Sequence, residues 1–168
     1  MSNIHEVTDG LDNSIYLKYK LTHKDAILPT RKYGSGDVGY DLNLVEHIKT
    51  VGKLEYYTTG VQIEPPHDIF IVERQFHCEL FPRSSLPQSG YMLANSIGLL
   101  DNGYRGDIIA CLFKFDKDAP KLKLPQRLVQ LVVRESYTPP VLEVKELSKT
   151  DRGDGGFGST NKKRKIQK

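Results

Sequence analysis

Near its end the chain reads Asp151-Arg152-Gly153-Asp154-Gly155-Gly156-Phe157-Gly158-Ser159-Thr160. This is a poor packing element, because glycine offers nothing to bury and loses much backbone entropy on ordering. Its inventory suits a nucleotide instead. Backbone N–H groups around Gly158 and the hydroxyls of Ser159 and Thr160 can cradle phosphate, the Arg152 guanidinium can grip it bidentately, and the Phe157 ring can stack on a base. A solvated terminal tail would have the same composition, so the segment alone leaves both readings open.

The body of the chain has its own candidate groups. Between Asn95 and Asp107 three glycines, Gly98, Gly103 and Gly106, alternate with recognition side chains. Asn95 offers an amide that can read a base edge, Asp101 a carboxylate that can take a proton from water, and Tyr104 a ring that can pack on a sugar. A β-hairpin that needs Asp101-Asn102-Gly103 for turn geometry alone would read the same way. Arg83, Ser84 and Ser85 follow an apolar strand where the chain enters a short helical turn, either as an anion seat or as an ordinary N-cap. Gln130 stands among apolar neighbours and, if it faces inward, needs a hydrogen-bond partner. Asp41 follows a glycine-rich turn, as a carboxylate near a metal or as a turn stabiliser.

Other chemistries drop out. The glycine-rich end has no Gly-Lys-Ser/Thr, so it is no Walker loop, and Ser84 and Ser85 lack a nucleophile elbow. The five histidines show no metal-ligand spacing. His77 and Cys78 are adjacent and would point to opposite faces of a strand, which argues against a metal pair. Two distant cysteines fit reduced core thiols better than a disulfide scaffold.

The elements that must position these groups read as short strands. Ile15, Leu17, Tyr19 and Leu21 alternate with polar residues, and similar runs recur at Val38–Val45, Tyr56–Ile63, Ile69–Phe76, Cys78–Phe81, Ile108–Phe115, Leu128–Val133 and Val141–Val144. Lys49–Glu55 reads as a surface loop. One short helical turn fits within Ser85–Met92, limited by Pro87 and Gly90. Gly/Pro turns between many short strands imply an all-β sandwich or barrel of jelly-roll type.

At 168 residues the chain fits one domain. Residues 1–13 read as a flexible start, 14–146 as the domain, 147–161 as a flexible C-terminal arm and 162–168 as a basic tail. The net charge of +3 is carried by that tail: without its five cations, 19 basic face 21 acidic residues. The body is therefore no nucleic-acid platform. The tail could be a nuclear localisation signal, could steer polyphosphates, or could be solvated with neither role. Without an apolar membrane span or a secretory signal, the expectation is an intracellular protein, cytoplasmic and/or nuclear.

Five short segments then occur in order: Gly39-Tyr40-Asp41-Leu42, Pro82-Arg83-Ser84-Ser85-Leu86, Gly98-Leu99-Leu100-Asp101-Asn102-Gly103-Tyr104-Arg105-Gly106, Arg127-Leu128-Val129-Gln130-Leu131 and Arg152 to Thr160. Together they resemble the five motifs of the trimeric deoxyuridine triphosphatases, the dUTPases. The resemblance implies a jelly-roll homotrimer with shared active sites that hydrolyses dUTP to dUMP and pyrophosphate with Mg²⁺, limiting uracil in DNA and supplying dUMP for thymidylate synthesis. It implies Asp101 as general base and Tyr104 beneath the deoxyribose, with Asn95 and the Gly98–Leu99 and Ile109 backbone reading uracil. Arg83, Ser84, Ser85 and Gln130 would hold phosphates or the attacking water. Arg152, Gly158, Ser159 and Thr160 would clasp the γ-phosphate while Phe157 covers the base, and Asp41 would reach Mg²⁺ through water, not directly.

Asn161 departs from the glycine common after the fifth motif, and Pro87–Ala94 resembles viral members. Two rivals remain at this point. A dCTP deaminase resembles the dUTPases but needs a glutamate in the strand after the loop, where residues 107–113 have none. A catalytically silent, dUTPase-like regulatory binder is the other, and intact Asp101, Arg152 and Phe157 argue against it.

Overall fold

The computed structural model describes residues 15–33, 36–66 and 75–155. Among these, the strands are β1 (Lys18–Leu21), β2 (Tyr40–Leu44), β3 (Glu46–Val51), β4 (Leu54–Thr58), β5 (Val61–Glu64), β6 (Gln75–Pro82), β7 (Tyr91–Leu93), β8 (Gly98–Leu100), β9 (Ile109–Lys114) and β10 (Gln126–Ser136), with one helix, α1 (Ser85–Gln88). All the strand ladders are antiparallel. β1 pairs with β5, the order β2-β10-β6-β8 makes one four-stranded sheet, and β3-β4-β9-β7 makes the other. Antiparallel sheets around a shared core are the all-β, jelly-roll-type architecture expected from the strand runs.

Alternation sets which side chains make that core. On β9, Ala110 and Leu112 are buried while Ile109 is open; on β6, Cys78 and Leu80 are buried while His77 and Glu79 occupy the other face. Leu42 and Leu44 of β2, Ile63 of β5 and Leu93 of β7 join the same cluster. Leu86 is the buried residue of α1 and ties that single turn to the core. Each fully buried leucine contributes about 2 kcal/mol relative to exposure.

Several expectations differ from the observed elements. The Tyr56–Ile63 run is two strands, β4 and β5, parted at Gly60 with φ +64° and placed in different sheets. Lys49–Glu55 is not a loop but the tip of the β3–β4 hairpin, turned at Gly52 with φ +61°. Every β3 residue is exposed, so no apolar alternation marks the strand. Asn95–Asp107 is not a simple hairpin either: β8 pairs with β6, whereas β9 pairs with β4 and β7. Both hydrogen-bonding edges of β9 are taken, so β8 finds its ladder in the opposite sheet. Val141–Val144 forms no ladder among the described residues, with Val141 and Leu142 at 99% and 82% exposure. Apolar residues become a strand only where a partner takes their backbone groups, and Pro139-Pro140 supplies no N–H at its start.

The chain divides after Thr138, and Pro139–Lys168 is a unit of its own. Its described part carries a turn at residues 151–154. No helix among the described residues is long and apolar enough to cross a membrane.

Candidate active site

A cleft of about 290 Å³ opens where the start of β2, the end of β6 and the middle of β10 meet. Asp41, Arg83, Ser84 and Gln130 line it, which brings together four of the residues singled out from sequence. Asp41 is only 7% exposed, and a carboxylate so buried requires charged partners. Two guanidiniums supply them: Arg83 Nε lies 2.6 Å from Oδ1 and Arg127 Nη1 3.4 Å from Oδ2. Arg83 is itself held by its backbone N–H to the Leu128 carbonyl (2.9 Å) and by Nη1 to the Arg127 carbonyl (3.1 Å).

A β-bulge makes this convergence possible. Arg127 pairs with Asn43 and Gln130 with Asp41, and the register shifts between Arg127 and Val129. In a regular strand, residues three apart face opposite sides of the sheet. The extra residue, Leu128, puts Arg127 and Gln130 on one face, flanking Asp41. Gln130 Nε2 donates to the Pro82 carbonyl at 3.1 Å, and its side chain lies over Gly39. A Cβ at Gly39 would sit 2.3 Å from Gln130 Oε1, so a side chain there would displace the Gln130 amide from this position.

Ser84 and Ser85 do not serve as ordinary caps. Ser84 precedes α1 in helical conformation and makes no side-chain cap bond. Ser85 Oγ is buried without a hydrogen-bond partner among the described residues, a state that costs about 1–3 kcal/mol.

The Asn95–Asp107 segment forms a second group. Ser96 adopts φ 60°, unfavourable for a non-glycine residue, and Asn95 lies exposed beside it. Gly98 packs so closely on β6 that a Cβ would come within 3.1 Å of Leu80 Cβ and 3.5 Å of Asn95 Nδ2. The Asp101–Tyr104 turn closes through the Tyr104 N–H to the Asp101 carbonyl at 3.0 Å. Asp101 is exposed, and its carboxylate accepts no hydrogen bond among the described residues. Tyr104 folds over Gly106 and donates its phenol to the Asp107 carbonyl at 2.9 Å. Leu99, Tyr104 and Ile109 leave apolar surface open around this loop. No hydrogen bond or ion pair among the described residues joins the loop to the cleft.

In the C-terminal unit, Arg152 Nε donates to the Gly155 carbonyl at 2.8 Å, and Gly153 has φ +53°. Phe157, Gly158, Ser159, Thr160 and the basic tail lie outside the described residues. Among those described, no three His, Cys, Asp or Glu side chains converge as a metal cage. Asp41 is instead held by the Arg83 and Arg127 guanidiniums. Cys78 is buried, away from His77, and burial pushes its thiol up to about 12.

Two residues beyond the sequence expectations enter the picture. Arg127 is hidden by strict alternation, since only the bulge turns it toward Asp41. Asp107 ends the loop and accepts hydrogen bonds from Thr22, Thr58 and Gln62. No periodicity marks it.

A family model described as dUTPase matches residues 24–161. The chain belongs to the dUTPase family. A deoxyuridine 5'-triphosphate nucleotidohydrolase of Thermoanaerobacter sp. (strain X514) is 37% identical over 152 residues, covering 88% of this chain and 98% of that protein. The dUTPase of Staphylococcus bacteriophage 80alpha, solved with dUPNHPP, superposes with a TM-score of 0.68 at 25% identity, covering 86% of this chain and 97% of that one. A variant dUTPase from phage phi11 of S. aureus shares the fold at 19% identity with a TM-score of 0.63, over 78% and 97% of the two chains, and its description concerns a structural Mg(II) ion.

Proposed function

We propose that this dUTPase hydrolyses dUTP to dUMP and pyrophosphate, with Asp101 as general base and Mg²⁺–dUTP as the substrate. The observation that carries the reading is the match to the dUTPase family across residues 24–161, joined to a loop that exposes an Asp101 carboxylate, without a partner among the described residues, three residues from an anchored Tyr104. Water attacks the α-phosphorus in line, forming a new O–P bond as the bond to the bridging oxygen breaks. The bonding electrons leave with pyrophosphate, and the water proton passes to Asp101. Mg²⁺ on the triphosphate lowers the charge that must develop on the leaving group.

The chain's own groups bind and orient. Arg83, the Ser84 and Ser85 hydroxyls and the Gln130 amide meet phosphate oxygens or the attacking water, and Arg127 helps hold Asp41. Asn95, with the Gly98–Leu99 and Ile109 backbone, reads uracil, and the Tyr104 ring underlies the deoxyribose. Arg152, Gly158, Ser159 and Thr160 hold the γ-phosphate, and Phe157 covers the base, excluding bulk water and strengthening those contacts. Asp41 meets the hydrated cation through water. Cleft and loop are separate groups in one chain, which supports a homotrimer with sites shared between copies. The product serves thymidylate supply, and removal of dUTP keeps uracil out of DNA.

The deaminase alternative is disfavoured by the strand after the loop. β9 carries no carboxylate, and Asp107 before it is occupied by three donors. A panel of dUTP, dCTP, dTTP and UTP with Mg²⁺ tests the proposal. Pyrophosphate from dUTP alone is expected. Ammonia from dCTP would establish the deaminase instead, and silence on all four would leave a binding protein.

A further inference from the structure

Asp107 has no role in the chemistry above, yet its half-buried carboxylate gathers donors from around three strands. Thr22, just after β1, places Oγ1 3.0 Å from both carboxylate oxygens. Gln62 of β5 donates Nε2 to Oδ1 at 3.0 Å, and Thr58 at the end of β4 donates Oγ1 to Oδ2 at 3.2 Å. A carboxylate suits this task because it accepts at both oxygens and donates at neither. The next residue is fixed as well: the Ile108 N–H donates to the Val61 carbonyl at 2.9 Å, and its own carbonyl accepts from Thr59 N at 2.9 Å and Thr59 Oγ1 at 3.0 Å.

The same residue holds the sugar platform. The Tyr104 phenol donates to the Asp107 carbonyl at 2.9 Å, and the ring covers Gly106 so closely that a Cβ there would lie 2.4 Å from the phenol oxygen. Residues 101–105 are otherwise largely open, with Asn102 Nδ2 to the Phe76 carbonyl at 3.0 Å as a second anchor. A surface that rejects one additional hydroxyl must not yield when that hydroxyl presses on it. Its height is set from Asp107.

We propose that Asp107 is a positioning residue for sugar selectivity. Its carboxylate pins the loop to β1, β4 and β5, and its carbonyl fixes the Tyr104 ring at the level that admits a 2′-deoxyribose and excludes a ribose. This rests on the reading of Tyr104 as the surface beneath the sugar. Asp107 acts through Tyr104 and touches no reacting atom.

The test compares kcat/KM for dUTP and UTP in the full-length wild type, Asp107→Ala, Asp107→Asn and Thr22→Val. Hydrogen exchange at residues 101–106 is followed in the same proteins. Asp107→Ala should lower the dUTP-to-UTP ratio by about tenfold or more, the scale of a misplaced contact surface. Thr22→Val, which removes one donor at nearly constant shape, should move it less in the same direction. Asp107→Asn keeps one acceptor oxygen and should stay nearest the wild type. Exchange should quicken at residues 101–106 in the Ala and Val variants while β6 and β10 keep their protection.

A role confined to stability would reduce activity on both nucleotides alike. A ratio within about twofold of wild type in folded Asp107→Ala overturns the proposal, whatever the exchange shows. If Asp107→Ala does not fold, Thr22→Val decides. Should the wild type fail to hydrolyse dUTP, the functional reading falls, and unchanged exchange in Thr22→Val would separately overturn the clamp.

Discussion

Asp101 and Asp107 belong to one loop and are equipped for opposite tasks: among the described residues one carboxylate is open and without a partner, the other is saturated by Thr22, Thr58 and Gln62. A base must be free to accept a proton, whereas a clamp must not be. Asp101→Asn keeps the shape and removes the base, so turnover should fall by ~10²–10⁴ while dUTP still binds by calorimetry. Near-wild-type pyrophosphate release would sink the assignment. The two guanidiniums on Asp41 can be ranked in the same spirit. Arg83 is nearer the carboxylate and more buried than Arg127, at 27% against 44% side-chain exposure. Arg83→Met should therefore destabilise the fold more, by up to about 3 kcal/mol, and also raise KM for dUTP. Arg127→Met should raise KM with a smaller loss of stability, because its exposed pair is partly screened by water. Urea denaturation and steady-state kinetics on both variants check that order.

Strands announce themselves in a sequence only where one face is buried. β9 was legible because Ala110 and Leu112 alternate inward against Ile109, and β10 because its centre is apolar. β3 has six exposed residues and so carries no pattern, although it pairs with β4 along its length. Arg127 was hidden for a different reason: a bulge inverts the facing rule, and nothing in Arg127-Leu128-Val129-Gln130 marks which residue is extra. Asp41, Arg83, Ser84 and Gln130 were each identifiable by type, but their convergence depends on that bulge. Packing between the sheets also has a pH signature. Burial pushes the Cys78 thiol from 9.0 up to about 12, and raises the Tyr57 phenol with help from its hydrogen bond to Glu55. In the unfolded chain the thiol ionises near its ordinary value, so the folded state binds the extra proton between the two values. Cys78 thus contributes fully below about pH 9, and its contribution is lost as pH climbs toward 12. The urea midpoint should fall between pH 8 and 11, and Cys78→Ala should make that fall shallower without abolishing it, since Tyr57 also contributes at the alkaline end. An equally steep decline in the variant would remove Cys78 as a cause.

At the scale of the molecule, two arrangements argue for assembly. The Asp41–Arg83 cleft and the Asp101–Tyr104 loop are separate groups within one chain, and Leu99, Tyr104 and Ile109 leave apolar surface around the loop. If copies share their sites, the species in solution should weigh three times the 19.0 kDa chain. Light scattering on an eluting peak reads that mass directly. The C-terminal unit can be separated from this question, because it begins after Thr138 and the strands of the sandwich all precede it. A chain ending at Asp151 keeps both sheets and should keep the assembled mass and the cooperative unfolding of the full protein. It lacks Arg152, Phe157 and the Gly158–Thr160 hydroxyl segment, so it should lose the contacts that exclude water from the triphosphate, and kcat should fall by about a hundredfold or more. The loss should appear mainly in kcat, because the cleft and the loop proposed to read uracil stay intact and should still bind the nucleotide. Unchanged turnover in the truncated protein would show that the proposed base Asp101, Arg83 and their neighbours complete the chemistry unaided.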